Sequence, residues 1–397
     1  MDTHFYLLLI FSIIQFGCKV DKSKDEKLKA DYINPIIGAA TFGATTTNIH
    51  GYGKTFPGSA TPFGLVQLSS DTRTGGDNWC GYSWTHTRIE GFSFTHMSGV
   101  GWNGDLDNFL VMPATGKLHT NKGTDSVPES EGMVPKNRQV QRDAFQKKVA
   151  EAAIHNNIKE FKGKHLGFFT NFKTHKNEQV LVRSGISFLS VEGAKLNLAT
   201  DIPDWNFDGV VKNAKALWNK ALSTVTVEGA TERDKEIFYT ALYHTMIDPR
   251  SFSDVDGNYI GSDKKVHKTI NFTYRTIFSG WDVFQSQFPL QTIINPTMVN
   301  DEINSLIQIA ELSGKKYFSR WGMLNSYSEC MIGNPAVSVV VDAYEKGIRN
   351  FDIEKAYTFC KNTVDSFGCG ELGYIPFNTG GSSTIFGAAS ISETLEY

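Results

Sequence analysis

The spacing of apolar residues changes once along this chain, and that change constrains the fold more than any other feature. Between residues 31 and 120, Gly or Pro recurs every eight to twelve residues, with short apolar runs such as Leu65-Val-Gln-Leu68 between them. This pattern is typical of antiparallel strands joined by tight turns. From Thr231 onward the apolar residues follow helical spacing. The sequence therefore predicts an N-terminal antiparallel β-sandwich followed by a mostly helical domain.

The predicted sandwich extends over residues 31–200. Within it, residues 120–165 are polar and carry no strand signal, so this stretch is expected to be irregular. Apolar and polar residues alternate again at 179–183 and 186–191, as in half-buried strands. These two stretches are predicted to complete the sheet.

The helical part begins with a linker helix predicted within residues 201–230, because apolar residues between Val210 and Leu222 share one helical face. Residues 231–397 contain further helices separated by long loops rich in Gly and aromatic residues. A capping residue, Thr231, precedes the first of these helices. Paired helices with long connecting loops favour an (α/α)6 toroid, of which this length accommodates about half.

Residues 1–18 have the character of an export signal. An apolar run from Phe5 to Phe16 is too short to cross a bilayer comfortably but matches the apolar core of a signal peptide. Cys18 follows Gly17 at the end of this run, which makes it a candidate for bacterial lipoprotein cleavage and lipid attachment. Residues 19–30 are highly charged and are predicted to form a solvated tether.

Composition limits the class of partner. The chain has 39 Lys and Arg against 42 Asp and Glu, and this absence of a basic excess argues against nucleic acid. Phe, Tyr and Trp are abundant, with 28, 14 and 7 copies. Aromatic rings either fill large cores or stack on the apolar faces of sugars, and composition alone favours the core.

Several long motifs carry a more specific signal. The N-terminal ones include Tyr32-Ile-Asn-Pro-Ile-Ile-Gly38 and Gly91-Phe-Ser-Phe-Thr-His-Met-Ser-Gly-Val-Gly101. The C-terminal ones include Ile202-Pro-Asp-Trp-Asn-Phe-Asp208, Phe238-Tyr-Thr-Ala-Leu-Tyr-His244, Phe252-Ser-Asp-Val-Asp-Gly257, Trp281-Asp282, Cys330-Met-Ile-Gly333 and Thr394-Leu-Glu-Tyr397. In content and order, these motifs resemble glycoside hydrolase family 92.

The resemblance implies a β-sandwich that contributes loops to an active site shared with an α/α toroid. It also implies an exo-acting α-mannosidase that hydrolyses α-1,2-linked mannose of N-glycans or mannan, with calcium assistance and inversion. Inverting glycosidases use an acid and a base carboxylate roughly 6.5–9.5 Å apart, with a water between them. Mannose-containing glycans are the implied partners, and the implied location is the periplasm or, through a lipid on Cys18, the outer cell surface.

The same motifs suggest roles for two acidic residues. Glu396 matches the general acid of the family, and such an acid needs a raised pKa. Asp282 matches a position expected to bind mannose in the −1 subsite, and Trp281 precedes it. The family's general base and main calcium ligands correspond to a segment beyond Tyr397, so this chain is expected to lack the base and its metal ligands are unknown.

Further candidates for substrate binding come from residue type and setting. Trp84, Trp102 and Trp281 are candidates for stacking on sugar rings, with core packing as the alternative. His50 and His96 lie among glycines, which favours loops that face the active site.

Three functional hypotheses remain open at the level of sequence. The chain is an active α-mannosidase, a catalytically inactive carbohydrate-binding remnant, or a gene fragment. Activity requires a second catalytic carboxylate, for which Asp248 and Glu329 are the stand-ins, although their spacing gives no support.

Overall fold

The structure is a computed structural model, and it describes only part of the chain. The described residues are 27–39, 55–72, 81–84, 86–87, 89–96, 110–116, 147, 153–162, 167–328 and 333–365. Five residues with predicted roles lie outside them: Cys18, His50, Trp102, Glu329 and Glu396.

An antiparallel sheet forms the N-terminal region, as the Gly and Pro spacing predicts. Its four strands are β1 (Ser59–Ala60), β2 (Gln67–Asp71), β3 (Gly91–Ser93) and β4 (Leu110–Val111), and they pair in sequence order. Strand β2 alternates strictly, burying Gln67, Ser69 and Asp71. This buried face of β2 is polar, so it requires internal hydrogen bonds.

The strands predicted at 179–183 and 186–191 are not observed, and this prediction was wrong. Residues 167–190 carry no strand, and Val182 is 66% exposed. Helix α1 (Val191–Asp201) follows, with the Ser190 side chain accepting a hydrogen bond from the Gly193 amide at 3.0 Å. Alternating apolar residues form a strand only where a neighbouring strand pairs with the backbone, and none lies beside this stretch in the described structure.

The helical region follows the predicted order closely. The helices are α2 (Phe207–Leu222), α3 (Glu232–His244), α4 (Gly280–Val283), α5 (Gln287–Ile294), α6 (Pro296–Leu312), α7 (Pro335–Glu345) and α8 (Ile353–Asp365). Helix α2 is the predicted linker helix, and it buries Trp218 and Leu222. Thr231 caps α3 as predicted, because its hydroxyl accepts from the Asp234 amide at 3.2 Å.

Short strand pairs occupy the long loops between these helices. Between α3 and α4, β5 (Arg250–Ser251) pairs with β8 (Arg275–Thr276), and β6 (Asn258–Ile260) pairs with β7 (Val266–Lys268). After α6, β9 (Trp321–Met323) pairs with β10 (Ser326–Ser328). These pairs stiffen the connections on which candidate site residues lie.

One apolar core joins the N-terminal region to the helices. Phe56 and Phe63 pack with buried residues of α2, α3, α5 and α6. Backbone hydrogen bonds reinforce this junction, since the Phe63 amide donates to the Met246 carbonyl at 2.8 Å. The Trp218 indole also donates to the Ala60 carbonyl at 2.6 Å. Burial of each such aromatic side chain stabilises the fold by about 1.5–3 kcal/mol.

Candidate functional site

A cavity of about 220 Å³ lies at the junction between the N-terminal region and helices α3 to α5. Its lining comes from Thr55, from residues 244–249 after α3 and from residues 277–288 around α4. These three segments are far apart in sequence, and the core described above brings them together. The cavity contains the predicted site residue Asp282 and the stand-in carboxylate Asp248.

Asp282 lies in the first turn of α4 and is exposed. The Ser279 hydroxyl donates to one carboxylate oxygen at 2.5 Å, and the Asp282 amide donates to the Ser279 carbonyl at 2.9 Å. This reciprocal pair fixes the side chain at the cavity wall. The carboxylate accepts hydrogen bonds only, so it suits the hydroxyl groups of a sugar.

Asp248, considered above as a stand-in catalytic carboxylate, lines the same cavity but is bound on both oxygens. Arg250 donates from Nε to Oδ1 at 2.7 Å and from Nη2 to Oδ2 at 3.0 Å. Burial raises the pKa of the Asp248 carboxyl above its ordinary value, although Arg250 opposes that shift. A bidentate pair of this kind holds the cavity wall in place.

His96 does not line the cavity, contrary to the expectation that it faces the active site. The ring is fully buried, with Nδ1 donating to the Gln67 carbonyl at 2.6 Å and Nε2 lying 3.1 Å from an Asp71 oxygen. Its backbone carbonyl, however, accepts from Arg250 Nη2 at 2.5 Å. His96 therefore links the N-terminal sheet to the residues behind the cavity.

The two described tryptophans with predicted stacking roles lie outside the cavity lining. Trp281 is half-buried and packs at an angle of 45° against Phe284, with ring centroids 6.3 Å apart. Trp84 is 61% exposed, and its amide donates to the Ala39 carbonyl at 3.2 Å. Its ring faces solvent over most of its surface, so its stacking role stays a prediction.

Sequence reasoning did not assign a site role to two residues of this cavity, His244 and Gln287. Burial lowers the pKa of His244 to about 4, so its imidazole is neutral near pH 7. Its Nε2 atom is buried without a hydrogen-bond partner in the described structure. Gln287 Nε2 donates to the carbonyls of Thr245 and Asp248, at 2.8 and 2.6 Å. The signal for His244 was its place at the end of the motif 238–244.

A cluster of buried charges lies behind Asp248. Arg275 donates to Asp301 at 3.0 Å, and Glu302 beside them is 1% exposed, with one oxygen lacking a partner in the described structure. The pKa of Glu302 is raised to about 8, mainly by burial; Arg275 opposes this shift, and the nearby Asp301 and Asp248 contribute to it. Glu302 is therefore protonated near neutral pH.

The family resemblance predicts calcium. Among the described residues, no group of three or more His, Cys, Asp or Glu side chains converges to hold a metal ion. The arrangement around Asp282 does not supply a calcium site by itself, and no ligand is assigned there.

Comparison with known families places most of the chain. A model of the glycosyl hydrolase family 92 catalytic domain matches residues 193–397, and a model of the N-terminal domain of the same family matches residues 32–142. A curated "uncharacterized secreted glycosidase" of Arthroderma benhamiae is 27% identical over 93 residues, which are 22% of this chain and 12% of that protein.

Solved structures show the same fold. The family GH92 α-mannosidase BT3965 from Bacteroides thetaiotaomicron superposes with a TM-score of 0.73 at 24% identity, covering 94% of this chain and 62% of that one. A second structure of that enzyme, in complex with mannoimidazole, gives 0.72 at 24% identity, with coverages of 94% and 60%. The inverting mannosidase BT2199 of the same organism gives 0.65 at 21% identity, with coverages of 94% and 61%. This chain thus spans about three fifths of these solved relatives.

Proposed function

The chain belongs to glycosyl hydrolase family 92. We propose that it acts as an exo-α-mannosidase on mannose-containing glycans and that it cleaves the α-1,2 linkages of N-glycans or mannan. The similar solved structures are named as α-mannosidases, and one of them is in complex with the mannose-type inhibitor mannoimidazole. We propose the same activity for this chain because it belongs to the same family and shares the fold of these enzymes.

One observation carries the proposal: the anchored carboxylate of Asp282 lies in a small cavity. Asp282 has one oxygen fixed by Ser279, and its other oxygen makes no hydrogen bond in the described structure. At about 220 Å³, the cavity is smaller than the roughly 300–1,000 Å³ of sites for drug-sized ligands. One sugar ring rather than an extended chain suits this volume, which supports exo action.

The residues around the cavity have two roles in binding: some contact the sugar, and others hold the wall rigid. Asp282 accepts hydrogen bonds from sugar hydroxyls, and the neutral His244 ring forms part of the cavity wall. The Asp248–Arg250 pair and Gln287 keep the wall rigid, so that little side-chain freedom is lost when a sugar binds. A rigid pocket of this kind orients the anomeric carbon for attack.

For the chemical step, we propose Glu396 as the general acid, on the basis of its motif. It donates a proton to the glycosidic oxygen while the bond from that oxygen to the anomeric carbon breaks. Water attacks the opposite face of the sugar and loses a proton to a base, which gives inversion. The base is not assigned to any described residue. Calcium is proposed as an auxiliary ion, and no step is derived through it.

We further propose that helices α3 to α8 belong to an α/α toroid and that the N-terminal sheet is part of a β-sandwich. Consecutive helices α5, α6, α7 and α8 pack on one another, which supports a closed ring of helix pairs. A proposal of export, with lipid attachment at Cys18, rests on the apolar run of residues 5–16 and on the secreted relative. No helix in the described ranges is long and apolar enough to span a membrane.

The activity is tested by mannose release from α-1,2-mannobiose by the purified chain, with calcium and with a chelator. The proposal predicts calcium-dependent release that Glu396→Gln abolishes, because glutamine cannot donate the proton. A soluble, cooperatively folding sample that releases no mannose under any condition would overturn it. Binding of the disaccharide without release would support the carbohydrate-binding alternative.

A further inference from the structure

A second cavity, of about 480 Å³, lies apart from the one that contains Asp282. One wall is formed by Tyr259 of β6 and by residues 268–272 at and after the end of β7. The floor comes from helix α6, and the other wall is the loop 349–352 between α7 and α8. No residue lines both cavities. This surface is called the amide groove here because of its side chains.

Four primary amides line the groove: Asn271, Asn304, Gln308 and Asn350. Gln308 accepts from the Tyr259 hydroxyl at 3.3 Å through Oε1, which leaves its two N–H groups for a ligand. Asn304 donates to the carbonyls of Asn300 and Asn350, at 2.9 and 3.1 Å, which leaves its oxygen as an acceptor. The groove floor therefore presents a fixed donor beside a fixed acceptor.

The two amides on the walls complete this pattern. Asn271 and Asn350 are exposed, and their side chains make no hydrogen bond in the described structure. Each offers both an N–H donor pair and a carbonyl acceptor. Neighbouring hydroxyl groups, each of which is also both donor and acceptor, are the ligand groups that match such a set.

Aromatic rings lie among these amides. Tyr259 and Phe351 are mostly buried and Phe272 is half-buried, so the groove also has apolar surface. The Tyr259 ring stacks on Tyr274 with centroids 3.9 Å apart, which fixes its position. A ligand that combines hydroxyl groups with C–H faces fits this mixture, as sugar rings do.

The charges at the groove favour a neutral ligand. Lys268 and Arg349 are balanced in part by Asp352, so the excess is one positive charge. The Arg349 guanidinium lies 3.5 Å from the centroid of the Tyr344 ring, which holds it in place. Sites for phosphate or sulfate gather several cations without a carboxylate among them, and this groove does not.

We propose that the amide groove is a second saccharide-binding site, for a neutral oligosaccharide of roughly two or three sugar units given the size of the cavity. The inference rests on the groove itself and not on hydrolysis at Asp282. If the chain is an α-mannosidase, a glycan held in the groove raises the local concentration of chain ends near the enzyme.

Hydrogen–deuterium exchange locates the ligand directly. The full chain is incubated with α-1,2-mannotriose, and backbone exchange is compared with and without the sugar. The same measurement is made on the Asn271→Ala/Asn350→Ala double variant, whose exposed positions leave the core unchanged, and on Asp282→Asn. Thermal unfolding of each variant controls for folding.

The proposal predicts slower exchange at residues 266–274 and 347–353 in both the unaltered chain and Asp282→Asn. The double variant should lose this protection and bind at least about tenfold more weakly at this site, because the hydrogen bonds of two side-chain amides disappear. Protection confined to residues 244–249 and 277–288, or unchanged groove protection in the double variant, overturns it. Protection of the groove by inorganic phosphate but not by mannotriose overturns it as well. If mannotriose protects the groove but no mannose is released, the saccharide-binding proposal is supported and the proposed hydrolysis is not.

Discussion

At the scale of single residues, the buried charges behind the cavity form a balanced set. Two arginines, Arg250 and Arg275, face Asp248 and Asp301 at hydrogen-bond distance. Glu302 is the fifth member, and burial raises its pKa to about 8. The charges cancel only while Glu302 keeps its proton, because an ionised Glu302 adds an uncompensated negative charge.

This balance predicts how stability depends on pH. The pKa of Glu302 is about 8 in the folded chain, against an ordinary value of 4.5. Between these values the folded state binds the extra proton, so Glu302 lowers the free energy of unfolding as pH rises, by at most about 1.4 kcal/mol per pH unit. Glu302→Gln should remove this slope. Its free energy of unfolding, relative to that of the unaltered chain, should therefore be higher at pH 8 than at pH 5.

The measurement is denaturant-induced unfolding at pH 5, 6, 7 and 8. Glu311→Gln serves as the matched control, because Glu311 lies in the same helix with its side chain 44% exposed. Unfolding free energies of Glu302→Gln that run parallel to those of the unaltered chain at every pH would contradict the assignment of a buried proton.

Site residues were predictable only where a motif carried the information. The pair Trp281-Asp282 is local in sequence, and the Asp282 carboxylate lines the cavity, while its role in binding mannose stays a prediction. His96 lies among glycines, but its ring is hydrogen-bonded to Gln67 and Asp71, which precede it by 29 and 25 positions. No local pattern reports such contacts, because they depend on how β2 and the loop after β3 meet in the folded sheet.

At the scale of elements, helices α2 to α8 agree closely with their sequence signals, whereas the strands expected near residues 179–191 are not observed and α1 was not predicted. Helices close their own hydrogen bonds, so spacing and capping residues largely define them. A strand needs a neighbouring strand for its backbone hydrogen bonds. The alternation near residues 179–191 has no such neighbour in the described structure, so the strands it predicts do not form. The same contrast separates α1 from α3: α1 buries no residue, whereas α3 buries Tyr239, Leu242 and Tyr243 among others.

Two matched caps test whether burial decides the contribution of a helix. Ser190 caps α1 and Thr231 caps α3, each accepting from the amide three residues later. Thr231→Ala should lower the free energy of global unfolding by about 1 kcal/mol. Ser190→Ala should leave global unfolding within about 0.5 kcal/mol, because α1 can fray without exposing a core. Urea unfolding measures both, and equal losses for the two variants would argue against this distinction.

At the scale of the whole molecule, the order of a β region and then a helical region was readable from the sequence, but their junction was not. The cavity combines residue 55 with residues 244–249 and 277–288, and only the packed core reveals that they meet. The junction depends on Arg250, which binds Asp248 on one side and the His96 carbonyl on the other.

Removal of Arg250 should therefore lower the stability of both regions together. Arg250→Met leaves Asp248 buried without its cation, which should cost about 3–5 kcal/mol of stability. The double variant Asp248→Asn/Arg250→Met should recover much of this loss, because no buried charge is then unpaired. Calorimetric unfolding of the three proteins measures the effect. Equal losses in the single and double variants would mean that the charge pair is not what joins the regions.

The central claim, that the cavity around Asp282 binds mannose, is tested most directly by calorimetric titration of the chain with mannoimidazole. Binding needs no catalytic base, so this test is independent of turnover. The account predicts that Asp282→Asn weakens binding about 10- to 150-fold, as expected when a hydrogen bond to a charged group worth about 1.5–3 kcal/mol is lost. Asp208→Asn, at an exposed carboxylate in the first turn of α2, should bind like the unaltered chain. No binding by the folded chain, or equal binding by Asp282→Asn, would contradict the claim.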